Sequence, residues 1–273
     1  MKFETYTLRI GKITGVFYTR GKPKRTIVVW GKGAPSVPDN GGMMSASAVL
    51  AMGCDLFVFD YIGNGRSDGM FTPMNCIRSF LVLFDDFTRG CTGIEYYSMR
   101  KFRMRYKKVV LVGHSFGGRF LPQLHRFDKR IKEIGIFYSA MDTSLYGNLG
   151  KPEERIADFS RVMKNAGYHH IYRGILSKEW QRHWANKDSL APVNCIKDLR
   201  DVKVFIAHGM LDNDINYVRS KEYFDRIAAM FPEKVGKTLV LKIYRKGDHG
   251  PQTAIPAVRD YLKWIGVGGR RRS

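Results

Sequence analysis

The run Val109-Val-Leu-Val-Gly113-His-Ser115-Phe-Gly117-Gly118 constrains the fold of this chain more than any other stretch. Four consecutive apolar residues read as a strand buried on both faces, and that strand leads directly into Gly-x-Ser-x-Gly. A serine on a tight strand-to-helix turn occupies strained backbone, and side chains two positions to either side of it would collide. Glycine at both positions removes the collision. The turn lifts the hydroxyl clear of the sheet and aims the next backbone N–H groups at whatever bonds to it. Alone, the pattern arises by chance in roughly one chain of this length in ten. The strand before it and a predicted helix over residues 117–127 give it weight.

The rest of the chain repeats a strand-then-helix rhythm. Residues 3–10 and 13–18 read as antiparallel strands joined at Gly11-Lys12. Further strands are predicted at 26–30, 55–60, 133–139, 202–207 and 238–244. Helices are predicted at 45–52, across most of 75–107, and at 256–265, where Val258, Tyr261, Leu262 and Ile265 share a face. Short apolar strands alternating with helices imply a mostly parallel sheet covered on both sides. Residues 141–200 break the rhythm. They are helical in pattern and rich in aromatics (Tyr168, Tyr172, Trp180, Trp184), and structureless connections of that length are rare, so a lid is expected there.

With 273 residues and 44% hydrophobic content, the chain can build one sizeable core. The start lacks the apolar run of a signal peptide, and no window approaches a membrane span. Cys54, Cys76, Cys91 and Cys195 show neither metal-ligand nor disulfide-framework spacing, so buried thiols in a reducing cytoplasmic setting are expected. The formal charge of +21 concentrates at residues 22–25, 100–108 and 270–272. An anionic partner (nucleic acid, an acidic lipid surface or a charged substrate) would suit it. No nucleic-acid-binding motif accompanies the charge, so a solvated basic face is the reading adopted and nucleic acid is not an expected partner.

A serine hydroxyl needs a base, and the base needs an acid that holds its tautomer. Candidates belong in loops at the C-terminal ends of strands. Two loops fit: His208-Gly-Met-Leu-Asp212 after one strand, and Gly247-Asp248-His249-Gly250 after the last. The order Ser115, Asp212, His249 is the Ser…Asp…His order of one hydrolase class. Asp214 and Asp142 are the rival acids. His114, His125, His169, His170, His183 and His208 are read as structural, whereas the glycine-bounded loop leaves room for a substrate beside the His249 ring.

Together with Asp60-Tyr-Ile-Gly63-Asn-Gly65-Arg-Ser67, these motifs resemble the α/β-hydrolase superfamily, and residues 189–212 are similar to its esterase and serine aminopeptidase-like branch. The resemblance implies an α/β-hydrolase fold, with a core of residues 1–140 and 201–273 and a helical cap at 141–200. It implies Ser115 as nucleophile, His249 as base and Asp212 as its acid. The oxyanion hole would use the backbone N–H of Phe116 and, by alignment, that of Lys32, with Gly31 and Gly33 as alternatives. The family usually has His-Gly where this chain has Trp30-Gly31, a departure that bears on the loop's conformation. The implied activity is hydrolysis of a carboxylic ester through an acyl-enzyme, on a small-molecule ester or related acyl substrate, without metal or organic cofactor. Peptidase, amidase or thioesterase chemistry on the same scaffold, and a non-catalytic ligand-binding role, are the alternatives. Oligomeric state is not legible.

Overall fold

A computed structural model describes residues 2–21, 24–143 and 163–268. Its strands are β1 (Glu4–Ile10), β2 (Ile13–Thr19), β3 (Thr26–Gly31), β4 (Asp55–Phe59), β5 (Cys91–Glu95), β6 (Lys101–Met104), β7 (Lys108–His114), β8 (Glu133–Phe137), β9 (Lys203–Gly209) and β10 (Leu239–Tyr244). They form one ten-stranded sheet in the order β10-β9-β8-β7-β3-β4-β2-β1-β5-β6. Strands β3, β4, β7, β8, β9 and β10 run parallel, so their C-terminal ends lie along one edge. The flank built from β2, β1, β5 and β6 is antiparallel.

Strand periodicity divides the core. Ile27 and Val29 face one side, with Phe57, Leu111 and Ile206, against Phe80, Leu83 and Phe87 of the helix Pro73–Arg89. Val28 and Trp30 face the other, with Val112 and Phe205, against Val258, Tyr261 and Leu262 of the helix Pro251–Trp264. Each large apolar side chain buried this way contributes about 1.5–3 kcal/mol. The helix Pro73–Arg89 has clear local causes. Thr72 caps it by accepting from Asn75 N at 3.1 Å, Pro73 sits where its missing N–H costs nothing, and Gly90 ends it at a φ of 108°.

Three elements differ from the expectation. The helix predicted over 75–107 stops at Arg89, and the remainder is the hairpin β5–β6. Alternation in Lys101-Phe-Arg-Met104, with Phe102 and Met104 turned inward, decides for a strand. The helix expected at 117–127 is instead a 3₁₀ turn, Ser115–Phe120, then a short helix, Leu124–Phe127. Pro122 has no N–H to offer Gly118 and cannot sit within a continuous α-helix there. The last helix starts at Pro251, not 256, and carries Pro256 inside it. The helix Val218–Met230 is not among the expected elements, although Tyr223, Phe224, Ile227 and Ala228 recur at helical spacing; its first turn buries the polar Arg219 and Ser220.

The Asp60 turn binds the C-terminal edge of the parallel strands to the antiparallel flank. The Asp60 side chain is fully buried, accepting from Lys32 Nζ at 2.7 Å and from Arg66 Nε at 2.8 Å. Ser67 Oγ donates to the Asp60 carbonyl at 2.6 Å and accepts from Thr14 N at 2.9 Å. Removing one member strands the buried Lys32 charge. Asp60→Ala is therefore expected to cost about 3–5 kcal/mol, read from the urea midpoint at unchanged m-value. Arg66→Ala, at the partly exposed end of the cluster, should cost clearly less.

Candidate active site

At the end of β7, Ser115 takes a φ of +50°, left-handed backbone that a non-glycine residue enters only when its surroundings hold it there. The surroundings are glycines packed onto backbone. A Cβ on Gly113 would lie 2.5 Å from the Gly117 carbonyl oxygen, and one on Gly117 would lie 2.3 Å from that of Gly31. The five-residue spacing thus records a backbone-on-backbone contact across the turn. Ser139 Oγ donates to the Ser115 carbonyl and closes the turn from the end of β8.

His249 follows β10 in the loop that enters the helix Pro251–Trp264. Its Nδ1 lies 2.7 Å from Asp212 Oδ2 and its Nε2 lies 2.9 Å from Ser115 Oγ. A carboxylate only accepts, so Nδ1 carries the proton, and the Nε2 lone pair faces the serine O–H. Tyr138 presses against the imidazole edge-on, with ring centroids 5.0 Å apart. The loop is seated by Thr253 Oγ1, which donates to the Asp248 carbonyl at 2.6 Å.

Asp212, its side chain fully buried, receives four hydrogen bonds. His249 and His208 Nε2, at 3.0 Å, donate to Oδ2; the N–H groups of Asp214 (2.9 Å) and Ile215 (2.8 Å) donate to Oδ1. Burial alone would raise the pKa of this carboxyl. The hydrogen bonds from the two histidines outweigh it and hold the group at about 2. Asp214 contributes its backbone N–H to Asp212. Asp142 is engaged elsewhere, by Asn186 Nδ2 at 2.7 Å and Arg226 at 2.8 Å.

His208, read from sequence only as structural, therefore touches the acid. Its Nε2 faces two acceptors, Asp212 Oδ2 and the Ile215 carbonyl at 2.8 Å, so it carries the proton; Nδ1 accepts from Ser220 Oγ at 2.7 Å. The signal was the four-residue step in His208-Gly-Met-Leu-Asp212, which folds the two side chains onto each other.

Phe116 follows Ser115 inside the 3₁₀ turn. Gly31 lies in the β3 ladder, and the Gly33 N–H faces His114 Nε2 at 3.0 Å. The Lys32 carbonyl accepts from Tyr61 Oη at 3.0 Å, and its ammonium lies on Asp60 and the Val37 carbonyl. Trp30, standing where a histidine was expected, donates its indole N–H to His114 Nδ1 at 2.7 Å. A neutral imidazole offers one lone pair, so Trp30 and Gly33 compete for His114. Burial, with the nearby His249 and Lys32, pushes the pKa of His114 down to about 3, which keeps it uncharged.

Of residues 141–200, the structure describes 141–143 and 163–200; the expected cap also includes 144–162, which lie outside the described residues. Trp180 and Trp184 stack at 5.9 Å and, with Phe71 and Phe120, surround the Phe116 ring. Trp180 Nε1 donates to the Phe71 carbonyl at 2.7 Å, and the Arg119 guanidinium lies 4.7 Å above Trp184. These rings are packed into the core, with Phe71, Phe116, Phe120 and Trp180 buried, and they tie residues 163–200 to the turn that carries Ser115. Among the described residues no His, Cys, Asp and Glu side chains cluster as a metal site, and no helix is long and apolar enough to cross a membrane. Burial pushes the thiols of Cys54, Cys91 and Cys195 up to about 12, which leaves them protonated near neutrality.

No protein-family model and no curated protein sequence matches the chain. Solved structures do resemble it. Acylaminoacyl peptidase of Pyrococcus horikoshii superposes with a TM-score of 0.62 at 12% identity, over 97% of this chain and 41% of that one. The chain thus spans well under half of that peptidase. Esterase Pf2001 of Pyrococcus furiosus gives 0.57 at 14% identity, over 97% and 92%. Mouse alpha/beta hydrolase domain-containing protein 10 gives 0.56 at 17% identity, over 97% and 98%. With its mostly parallel sheet and these neighbours, the chain has the α/β-hydrolase fold.

The low pKa of Asp212 sets a pH dependence for stability. A carboxyl depressed on folding stabilises fully above its unfolded pKa, and that share is lost as pH falls through the folded value. The difference in unfolding free energy between wild type and Asp212→Asn should therefore hold steady above about pH 4 and narrow from there toward about pH 2, by denaturant titration at each pH.

Proposed function

We propose that this protein is a serine hydrolase that cleaves carboxylic esters through an acyl-enzyme. The supporting observation is the continuous chain Ser115 Oγ, His249, Asp212, with contacts of 2.9 and 2.7 Å. As Ser115 Oγ attacks the ester carbonyl, its proton passes to His249 Nε2, and Asp212 stabilises the imidazolium. The tetrahedral oxygen is met by the backbone N–H groups of Phe116 and Lys32. Lys32 is favoured because Gly31 belongs to the sheet and the Gly33 N–H is directed to His114. His249 then protonates the departing alcohol, and water activated by the same ring releases the acid. Residues 141–200 would act as the cap over the site, and their aromatic composition suits an apolar acyl or alcohol group.

His208 is a positioning residue in this scheme. It supplies a second charge-assisted hydrogen bond to Asp212 and so fixes the carboxylate that orients His249.

Two measurements test the reading. A fluorophosphonate should label wild type and not Ser115→Ala, and p-nitrophenyl esters of increasing acyl length should be hydrolysed. Ser115→Ala and His249→Ala should lose about a million-fold in kcat, and Asp212→Ala roughly ten-thousand-fold. Near-normal turnover in Ser115→Ala would refute the nucleophile. Faster cleavage of matched thioesters or aminoacyl amides would move the substrate class without touching the triad. His208→Phe should lower kcat about 10- to 100-fold with KM nearly constant, matching one lost charge-assisted bond. His208→Gln, which keeps a donor near the Nε2 position, should restore most of it. Equal losses in both variants would make His208 a packing residue only.

A further inference from the structure

The sheet continues past the elements that the triad uses. β5 and β6 extend it beyond β1, ending in an outer strand, and no step of ester hydrolysis draws on them. Residues 96–108 of this extension hold six Lys and Arg and no Asp or Glu. Strand alternation sorts them. Phe102 packs inward beside Tyr6 and Phe17, and Met104 is buried with the core, while Lys101, Arg103 and Arg105 all emerge exposed on the opposite side, about 7 Å apart. Among the described residues none of these three cations pairs with a carboxylate. The turn beside them exposes Tyr96, Tyr97 and Met99 at 51%, 80% and 67%. That turn is built firmly: Glu95 Oε2 accepts from the N–H groups of Tyr97 and Ser98, and Met99 takes a φ of +58°.

Cations along an outer strand also protect a sheet from edge-to-edge pairing. That role accounts for the basic row but not for three large exposed side chains at its tip. We propose that the β5–β6 hairpin docks the protein on the surface of an anionic phospholipid bilayer, with Tyr96, Tyr97 and Met99 at headgroup depth and Lys101, Arg103 and Arg105 facing lipid phosphates. Tyrosine, an apolar ring with a polar end, suits the bilayer interface, and each basic side chain near an anionic leaflet adds to the attraction. A single-stranded nucleic acid would instead require aromatic platforms among the cations on the strand face. Phe102 lies on the other face of the strand from Lys101, Arg103 and Arg105, half-buried against Tyr6 and Phe17 and covered by the Arg100 guanidinium 4.9 Å above its ring.

The test is co-sedimentation of the full chain with vesicles of phosphatidylcholine alone or mixed with phosphatidylserine. Binding should require phosphatidylserine. Lys101→Gln/Arg103→Gln/Arg105→Gln should weaken it about a hundredfold. Lys242→Gln/Arg245→Gln/Lys246→Gln removes the same charge at the opposite edge, beside β10, and should weaken it by about threefold or less. Tyr96→Ser/Tyr97→Ser/Met99→Ser, with charge intact, should also weaken binding and make the remainder more sensitive to salt. Thermal melts and turnover of a soluble ester should match wild type in all three variants. Equal losses from the two charge triples would assign binding to net charge and overturn the proposal, as would an unchanged tip variant. Displacement of the vesicles by single-stranded DNA that binds more tightly through the same three cations would mark the surface as one for nucleic acid instead. Ser115→Ala should bind vesicles as wild type does, so failure of the docking surface and failure of the esterase reading are read separately.

Discussion

Ser115 can hold its left-handed backbone only because Gly113, Gly117 and Gly31 bring three stretches of main chain into contact around it. Much of the site depends on that contact. It fixes where β7 ends relative to β3, and so where Phe116 and the Lys32 loop lie. It also turns the hydroxyl toward the loops after β9 and β10. The strain of one residue is local, but the packing that sustains it spans the middle of the sheet.

Around this turn the site is organised by buried groups held in one protonation state. Asp212 stays ionised despite burial because two histidines and two backbone N–H groups solvate it. His114, half-buried, stays neutral because desolvation, with His249 and Lys32 nearby, lowers its pKa. The Lys32 ammonium is neutralised by Asp60, which leaves the Lys32 backbone to shape the loop. The hydrogen bond from the Trp30 indole to His114 ties the end of β3 to the residue preceding Ser115. The departure in sequence is thus matched by a contact in space.

Legibility followed how local each cause is. The parallel strands were plain because both of their faces are buried and their residues are uniformly apolar. The region after Arg89 differs from the expected helix because its alternation covers only Lys101–Met104, too short a stretch to stand out from the helical pattern before it until β5 pairs with β1 and β6. The helix expected after Ser115 is broken at Pro122, whose missing N–H leaves a 3₁₀ turn and a short helix in its place. At the site, Ser115, Asp212 and His249 could be nominated because each lies just past an apolar strand beside glycines. His208 could not be assigned a partner, because a buried histidine in sequence does not reveal what it bonds.

By itself the sequence determined the parallel strands, the Gly-x-Ser-x-Gly turn and the order of the three polar residues, because steric demands on glycine and burial demands on strands act over a few residues. Tertiary structure alone decided that His249 reaches Ser115 across 134 positions, that two histidines share Asp212, and that Gly33 is drawn to His114. It also decided that β5 and β6 form a basic outer edge with exposed rings at its tip. These are consequences of which chain segments become neighbours, and that is settled by packing the whole sheet between its two helical layers.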